Sequence, residues 1–338
     1  SFLSGLMGPT VALLTYSAIA AIIFLGARNV ILGTLTVGAL QAFICYIWQV
    51  NQPLNQMTQL SSAIQASFAA MDRVFDFLDE TEEPKLKHEP KVIEHYQGAV
   101  SFKDVSFGYS DVPVLKDLNV EIKPGQMVAI VGPTGAGKTT IINLLMRFYD
   151  VDKGAILIDG VDIREMNRDD LRSYFGMVLQ DTWLFSGKIK DNIAYGKEDA
   201  TMPEIIDVAK RANVHHFIKT QPDGYNMVLN EESSNISNGE KQLLTIARAL
   251  LSDPKILILD EATSSVDTRL DAMIQEAMAE LTKNRTSFVI AHRLSTIRNA
   301  DVILVVKDGN IIEKGNHDTL ISEDGFYAEL YNSQFADN

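Results

Sequence analysis

The run Gly132-Pro133-Thr134-Gly135-Ala136-Gly137-Lys138-Thr139-Thr140 has the spacing Gly, four residues, Gly-Lys-Thr. That spacing wraps backbone N–H groups around a phosphate. Glycines let successive N–H groups turn inward with no Cβ in the way. A helix starting at the end of such a loop adds unsatisfied donors and the positive end of its dipole. Lys138 is then placed to reach the β- and γ-phosphates of a nucleoside triphosphate, and the Thr139 hydroxyl to ligate magnesium. A chance glycine-rich turn would need no particular neighbours. Here an apolar run, Met127–Val131, precedes the loop and a helical pattern, Ile141–Met146, follows it.

Further groups have chemistry of the same kind. Asp260-Glu261 closes the apolar run Ile256–Leu259, and ligands of open α/β sheets bind at the carboxyl ends of strands. Asp260 is expected to hold magnesium, directly or through water, and Glu261 to orient or deprotonate an attacking water. His292 ends another apolar run, Ser287–Ala291. It is either a structural strand-end histidine or a contact to the γ-phosphate. Ser237 stands just ahead of a pattern in which Leu243, Leu244, Ile246, Ala247, Leu250 and Leu251 recur on one helical face. Its simplest role is an N-cap; with Gly239 it also forms a second anion-binding helix start. The residues alone do not say why one ATPase domain would carry two. Tyr109 lies in a polar loop, where it either stacks on a base or is a half-buried strand-end tyrosine.

These groups need a sheet to hold them. Val100-Phe102, Val105-Phe107 and Leu118-Val120-Ile122 alternate as short strands closed by the turn Lys123-Pro124-Gly125. The continuous apolar runs before the glycine loop, Asp260 and His292 read as buried parallel strands. The sequence has 338 residues, enough for two domains. A net charge of −14 argues against a nucleic-acid surface. The single cysteine, Cys45, excludes an internal disulfide framework and reads as a packed, inert thiol.

The first part of the chain is of another kind. From Ser1 to Met71 the only charged residue is Arg28. Gly5–Ala27 is long enough to cross a bilayer as a helix, with Pro9 near its start. A short turn is expected from Arg28-Asn29 through Gly33-Thr34 to Gly38, then a second apolar stretch, Val37–Val50. It continues into an uncharged polar segment with Gln52, Asn55, Gln56 and Gln59, which either face a wet cavity or pack helices together. Asp72–Glu80 reads as an amphipathic helix end. The expected division is a partial transmembrane domain over 1–80, a linker over 81–97 and an ATPase domain over 98–338. The chain opens on Ser1 rather than Met and is expected to be a piece of something longer.

At this point the motifs resemble an ABC transporter ATPase domain, and the chain is similar to the C-terminal part of an ABC exporter half-subunit. The resemblance rests on the order Tyr109, the glycine loop, Gln180, Ser237/Gly239, Asp260-Glu261, Ser264-Ser265-Val266-Asp267 and His292. The segments Ala291-His292-Arg293-Leu294-Ser295-Thr296-Ile297 and Gly315-Asn316-His317-Asp318 add to it. It implies an α/β P-loop ATPase domain with a helical subdomain at about 181–251, preceded by the last two of six membrane helices. It implies ATP and Mg2+ as cofactors, with two ATPase domains packed head to tail and ATP between one glycine loop and the other domain's signature helix. Tyr109 would then stack on adenine, Gln180 would touch magnesium and sense the membrane part, and His292 would contact the γ-phosphate. Asp267 would lie in a loop crossing the dimer interface. A multi-pass protein of the cell membrane with a cytoplasmic ATPase domain follows, exporting a small hydrophobic or amphipathic substrate such as a drug or lipid. Without the preceding four helices, this piece is not expected to couple hydrolysis to transport.

The signature departs from the family pattern Leu-Ser-Gly-Gly-Gln. Ile236 and Glu240 are mild changes, but Asn238 puts a side chain where backbone should approach a phosphate. Glu231 matches a family glutamate, whereas Glu232 stands where arginine is usual and Ser233 where glycine is usual. Intact Glu261 and His292 beside an altered signature resemble one chain of a heterodimeric multidrug exporter. The expectation is a heterodimer whose partner has a regular signature and an altered catalytic glutamate. The rivals are a homodimeric lipid or drug flippase, a regulatory half with poor turnover, and a soluble ABC-type ATPase acting on ribosomes or DNA.

Overall fold

The computed structural model describes residues 2–83, 86, 89–93, 95–110, 112–179, 182–231, 234–260, 268–291 and 294–335. The chain forms two compact units, Ser1–Lys85 and Leu86–Asn338.

The first unit is a helical hairpin of α1 (Phe2–Ile31) and α2 (Val37–Leu78). The turn is shorter than expected. Nothing at Arg28 or Asn29 breaks a helix, so α1 runs through both, and Gly38 lies inside α2. The chain reverses at Gly33, whose φ of 70° suits glycine. Thr36 then caps α2 by accepting a hydrogen bond from the Ala39 N–H at 3.2 Å. The helices meet at Gly26, where any side chain would run into Leu40, and Tyr16 and Trp48 pack edge to face at 6.3 Å. Ala12–Ile31, 20 residues with a mean hydropathy of 1.6, is long and apolar enough to cross a membrane. At a 1.5 Å rise it spans about 30 Å, the hydrocarbon thickness of a bilayer. Leu13, Leu14, Tyr16, Phe24 and Leu25 all face outward. Among the described residues this is the only helix to meet both criteria; the apolar part of α2 stops at Val50, short of a full crossing. Cys45 is exposed rather than packed.

The second unit opens with β1 (Val100–Phe107), β2 (Leu115–Ile122), β3 (Met127–Val131) and α3 (Lys138–Leu145). β4 (Lys153–Ile158), β5 (Val161–Asp162), α4 (Arg168–Ser173) and β6 (Phe175–Val178) follow. Next come β7 (Gly187–Lys188), α5 (Ile189–Ala194), α6 (Met202–Arg211), α7 (His215–Thr220), β8 (Val228–Leu229) and α8 (Asn238–Ser252). Then come β9 (Ile256–Asp260), α9 (Thr268–Thr282), β10 (Thr286–Ile290), α10 (Leu294–Asn299), β11 (Val302–Lys307) and β12 (Asn310–Gly315). Last are α11 (His317–Ser322) and α12 (Phe326–Phe335).

A six-stranded sheet in the order β12-β11-β3-β10-β9-β6 is parallel except for the β11–β12 pair. Its central strands are mostly apolar because both faces are covered, the exceptions being buried Thr286 and Ser287 at the start of β10 and Asp260 at the end of β9. Alternation then divides each strand between two cores. Val128, Ile130, Ile256, Ile258, Phe288 and Ile290 join the core that holds α3 and the antiparallel strands. Ala129, Val131, Leu257, Leu259 and Val289 join the core that holds α5, α6, α8 and α9. The smaller sheet, β2-β1-β4-β5, is antiparallel. The two short strands expected at Val100-Phe102 and Val105-Phe107 are one strand, interrupted by a register shift at Asp104, whose φ is 50°.

From Lys91 onward the segment read as linker is fastened to this unit. The Lys91 ammonium meets Glu165 at 2.7 Å, and the Tyr96 hydroxyl donates to the Tyr174 carbonyl at 2.9 Å. The Asp159 carboxylate accepts the N–H groups of Gln97, Gly98 and Ala99 at 2.9–3.0 Å.

Candidate nucleotide site

The parallel strands β3, β10, β9 and β6 lie side by side, so their carboxyl ends open along one edge. β3 delivers the glycine loop there, and β9 delivers Asp260. β10 ends at Ile290 and β6 at Val178, each two residues ahead of His292 and Gln180. Gln180, Glu261 and His292 themselves lie outside the described residues, as do Ser264–Asp267, Glu232, Ser233 and Arg293.

The glycines of the loop are there for backbone reasons. Gly132 has a φ of 151° and Gly137 one of 106°. A side chain at Gly132 would collide with the Val306 carbonyl, and a Cβ at Gly137 would stand 2.8 Å from Leu115 Cδ2. Pro133, Thr134 and Gly135 are exposed; Ala136 is buried under them and donates its N–H to the Pro133 carbonyl at 3.2 Å. Gly137 is the N-cap of α3 and has no side chain to bond the first-turn donors. These N–H groups therefore remain for an anion. The rest of α3 is anchored by buried Ile141, Ile142, Leu144 and Leu145.

Lys138 turns back over the loop, donating to the Gly132 carbonyl at 2.7 Å and the Pro133 carbonyl at 3.0 Å. Partial burial pushes its pKa below the ordinary lysine value, and the negative charge of Asp260 acts in the opposite direction. In register, Asp260 stands opposite Ile290 of β10, and Ile290 opposite Ile130 of β3. One strand thus separates the carboxylate from the strand that feeds the loop. Thr139, the next residue along α3, is exposed.

Tyr109 is half-exposed and tied to the first turns of α3. Its hydroxyl donates to Thr140 Oγ1 at 3.3 Å and accepts from Asn143 Nδ2 at 3.1 Å. Phe107 and Tyr149 hold its ring edge to face, each with centroids 5.0 Å away. Position in the sequence left this tyrosine open; the structure puts it beside the glycine-loop helix. Asn143 and Tyr149 went unread. Their signals were slight: a polar residue in an apolar helix and an aromatic pair, Phe148-Tyr149, after it.

Ser237 is the N-cap of α8, and its hydroxyl accepts the Glu240 N–H at 3.3 Å. Glu240 answers by accepting from the Ser237 N–H and hydroxyl, both at 2.8 Å. This capping box satisfies the N–H groups of Ser237 and Glu240 from within the helix start. Asn238 is exposed and Gly239 buried. The partner of Ser237 is therefore its own helix rather than the glycine loop.

A family model described as ABC transporter matches residues 115–264. A fatty acid ABC transporter ATP-binding/permease protein of Mycobacterium bovis is 52% identical over 330 residues, covering 97% of this chain and 52% of that protein. An ATP-dependent lipid A-core flippase of Syntrophus aciditrophicus is 43% identical over 336 residues, covering 99% of this chain and 56% of that protein. A solved structure of a bacterial Atm1-family ABC exporter with ATP bound aligns with a TM-score of 0.72 at 39% identity, over 99% of this chain and 58% of that one. The chain spans about half the length of the curated relatives it matches. The strand-loop-helix around Lys138, the strand-end carboxylate and these likenesses agree: the chain carries a domain of the ABC transporter family.

Proposed function

We propose that this chain is the ATP-binding and ATP-hydrolysing part of an ABC exporter half-subunit in the cell membrane. The observation that carries the reading is the arrangement at the sheet edge: an uncapped helix start with Lys138 after β3, and Asp260 at the end of β9 with one strand between them. Bound triphosphate would replace the Gly132 and Pro133 carbonyls as the partner of Lys138. Tyr109 would offer its ring to the adenine. Mg2+ fits the oxygen donors present, the Thr139 hydroxyl and the Asp260 carboxylate, with phosphate oxygens and water completing the shell. Among the described residues no group of three or more His, Cys, Asp or Glu would hold a metal by itself. When bound, the metal would neutralise charge on the phosphates; Thr139 and Asp260 would hold it, and Glu261 would take the proton of the attacking water.

The site is completed by a second half-subunit, whose signature helix would cover this glycine loop. A heterodimer is the favoured form, because Asn238 and the Glu240 carboxylate both stand at this chain's own signature start and weaken it as a phosphate cover. The names of the relatives, a fatty acid transporter and a lipid A-core flippase, support an acyl-bearing amphiphile as the exported class. A multi-pass membrane domain, of which α1 and α2 are part, would enclose its path.

The test is Glu261→Gln in the full-length protein with its partner. Hydrolysis should fall nearly to background while ATP binding is kept. Unchanged turnover would remove Glu261 as the base. The native mass of the complex in mild detergent decides the pairing: a second, non-identical half supports the asymmetric form, and two identical halves overturn it.

A further inference from the structure

Behind the nucleotide edge, α8 is joined to the loop that follows β6 by one guanidinium. Arg248 donates from Nε to the Asn192 carbonyl at 2.9 Å and from one terminal nitrogen to Asn192 Oδ1 at 3.0 Å. Its other terminal nitrogen reaches the Trp183 carbonyl at 3.1 Å, and its plane lies 5.3 Å from the ring centre of Tyr195. Asn192, fully buried, uses its whole amide in the same network. Its oxygen also accepts the Phe185 N–H at 3.1 Å, and its nitrogen donates to the carbonyls of Phe185 at 3.0 Å and Lys188 at 3.4 Å. Gly196, just beyond α5, lies so close to the Arg248 carbonyl that no side chain fits there.

The placement of this network is what gives it meaning. Trp183–Phe185 lie five to seven residues beyond Val178, the last residue of β6, whose carboxyl end is part of the nucleotide edge. Ser237, at the start of α8, lies about 16 Å from Arg248 along the helix at 1.5 Å per residue. A fork of donors on a planar group fixes two backbone carbonyls and an amide in one orientation, which an ammonium does not. We propose that Arg248 and Asn192 are positioning residues of the ATPase cycle. They lock the loop after β6 to the signature helix, so that a movement at this chain's nucleotide edge carries Ser237 with it. The inference rests on the reading above that Ser237 covers a nucleotide held by the partner subunit.

The test compares wild type, Arg248→Lys and Arg248→Met in the full-length complex. It reads ATP turnover against ATP concentration, nucleotide affinity and thermal stability. The expected result is a fall in kcat of about tenfold for R248M and about threefold for R248K, with KM and nucleotide affinity within about twofold of wild type. A wild-type kcat in R248K and R248M overturns the proposal, as does a loss that follows the folded fraction alone. Should R248M fail to fold, R248K decides, because it keeps the stem and the charge but loses the fork. Absence of ATP turnover in the wild-type complex would instead strike the ATPase reading itself.

Discussion

Two helix starts in this chain have the same dipole and opposite chemistry. α3 begins at Gly137, in the left-handed region and without a side chain, so its first N–H groups stay unbonded by any cap. α8 begins at Ser237, with ordinary extended backbone, and Ser237 and Glu240 satisfy each other. The difference teaches that a helix N-terminus becomes an anion site only where the cap leaves its donors free. At α3 the donors are exposed by the geometry of the glycines. At α8 the Glu240 N–H is engaged by the Ser237 hydroxyl, and the Glu240 carboxylate in turn holds the Ser237 hydroxyl and N–H. A phosphate reaching Ser237 must displace Glu240 or lie beside its charge. The bonds a phosphate would make, about 1.5–3 kcal/mol each, compete with the charge-assisted bonds that already hold this capping box. On the proposed reading, a partner's nucleotide would have to displace them and would be held here at a reduced affinity.

This contrast can be broken most directly at Lys138. Lys138→Ala should lower ATP turnover of the full-length complex by a hundredfold or more, about 3 kcal/mol of lost charge stabilisation. Turnover at the wild-type rate would mean that the open helix start is not where the triphosphate is held.

Tyr109→Ala comes next in size. Base stacking on an aromatic ring contributes about 1–3 kcal/mol, so the KM for ATP should rise about tenfold. Tyr109→Phe should change it much less, because Phe107 and Tyr149 still hold the ring. Equal effects of the two substitutions would place the role of this residue in its hydroxyl bonds to Thr140 and Asn143 instead.

The smallest effects belong to α8 and sharpen the comparison. Ser237→Ala should cost about 1 kcal/mol of stability in thermal or urea unfolding, since a side-chain cap is lost. Glu240→Gln keeps a capping acceptor and removes the charge, so nucleotide affinity at the site it covers should rise about twofold to fivefold. Weaker binding in E240Q would show that the carboxylate supports the nucleotide rather than competing with it.

The two units of the chain were legible to different degrees. In the ATPase unit, the apolar runs at Met127–Val131 and Ile256–Asp260 became strands at those positions, and Ser237 became a cap. Local dihedral preferences and side-chain alternation are written in neighbouring residues, so these features could be read. The turn of the helical hairpin was misplaced because Arg28 and Asn29 are compatible with helix as well as with a turn, and α1 had no reason to stop. The exposure of Cys45 was missed because an apolar neighbourhood in sequence says nothing about whether another element covers it.

The residue pattern by itself determined the strand-glycine loop-helix unit, the strand-end carboxylate and the family, since each depends on spacing within a few residues or on motif order. Only the tertiary structure decided that β10 stands between β3 and β9, which puts Asp260 and the strand feeding the glycine loop on one edge, a single strand apart. It also decided that Asp159 fastens Gln97–Ala99, that Tyr149 supports Tyr109, and that Arg248 joins α8 to the loop after β6. Each of these is a contact between residues far apart in the chain. Their partners are chosen by which buried faces pack together, and no local spacing records that choice.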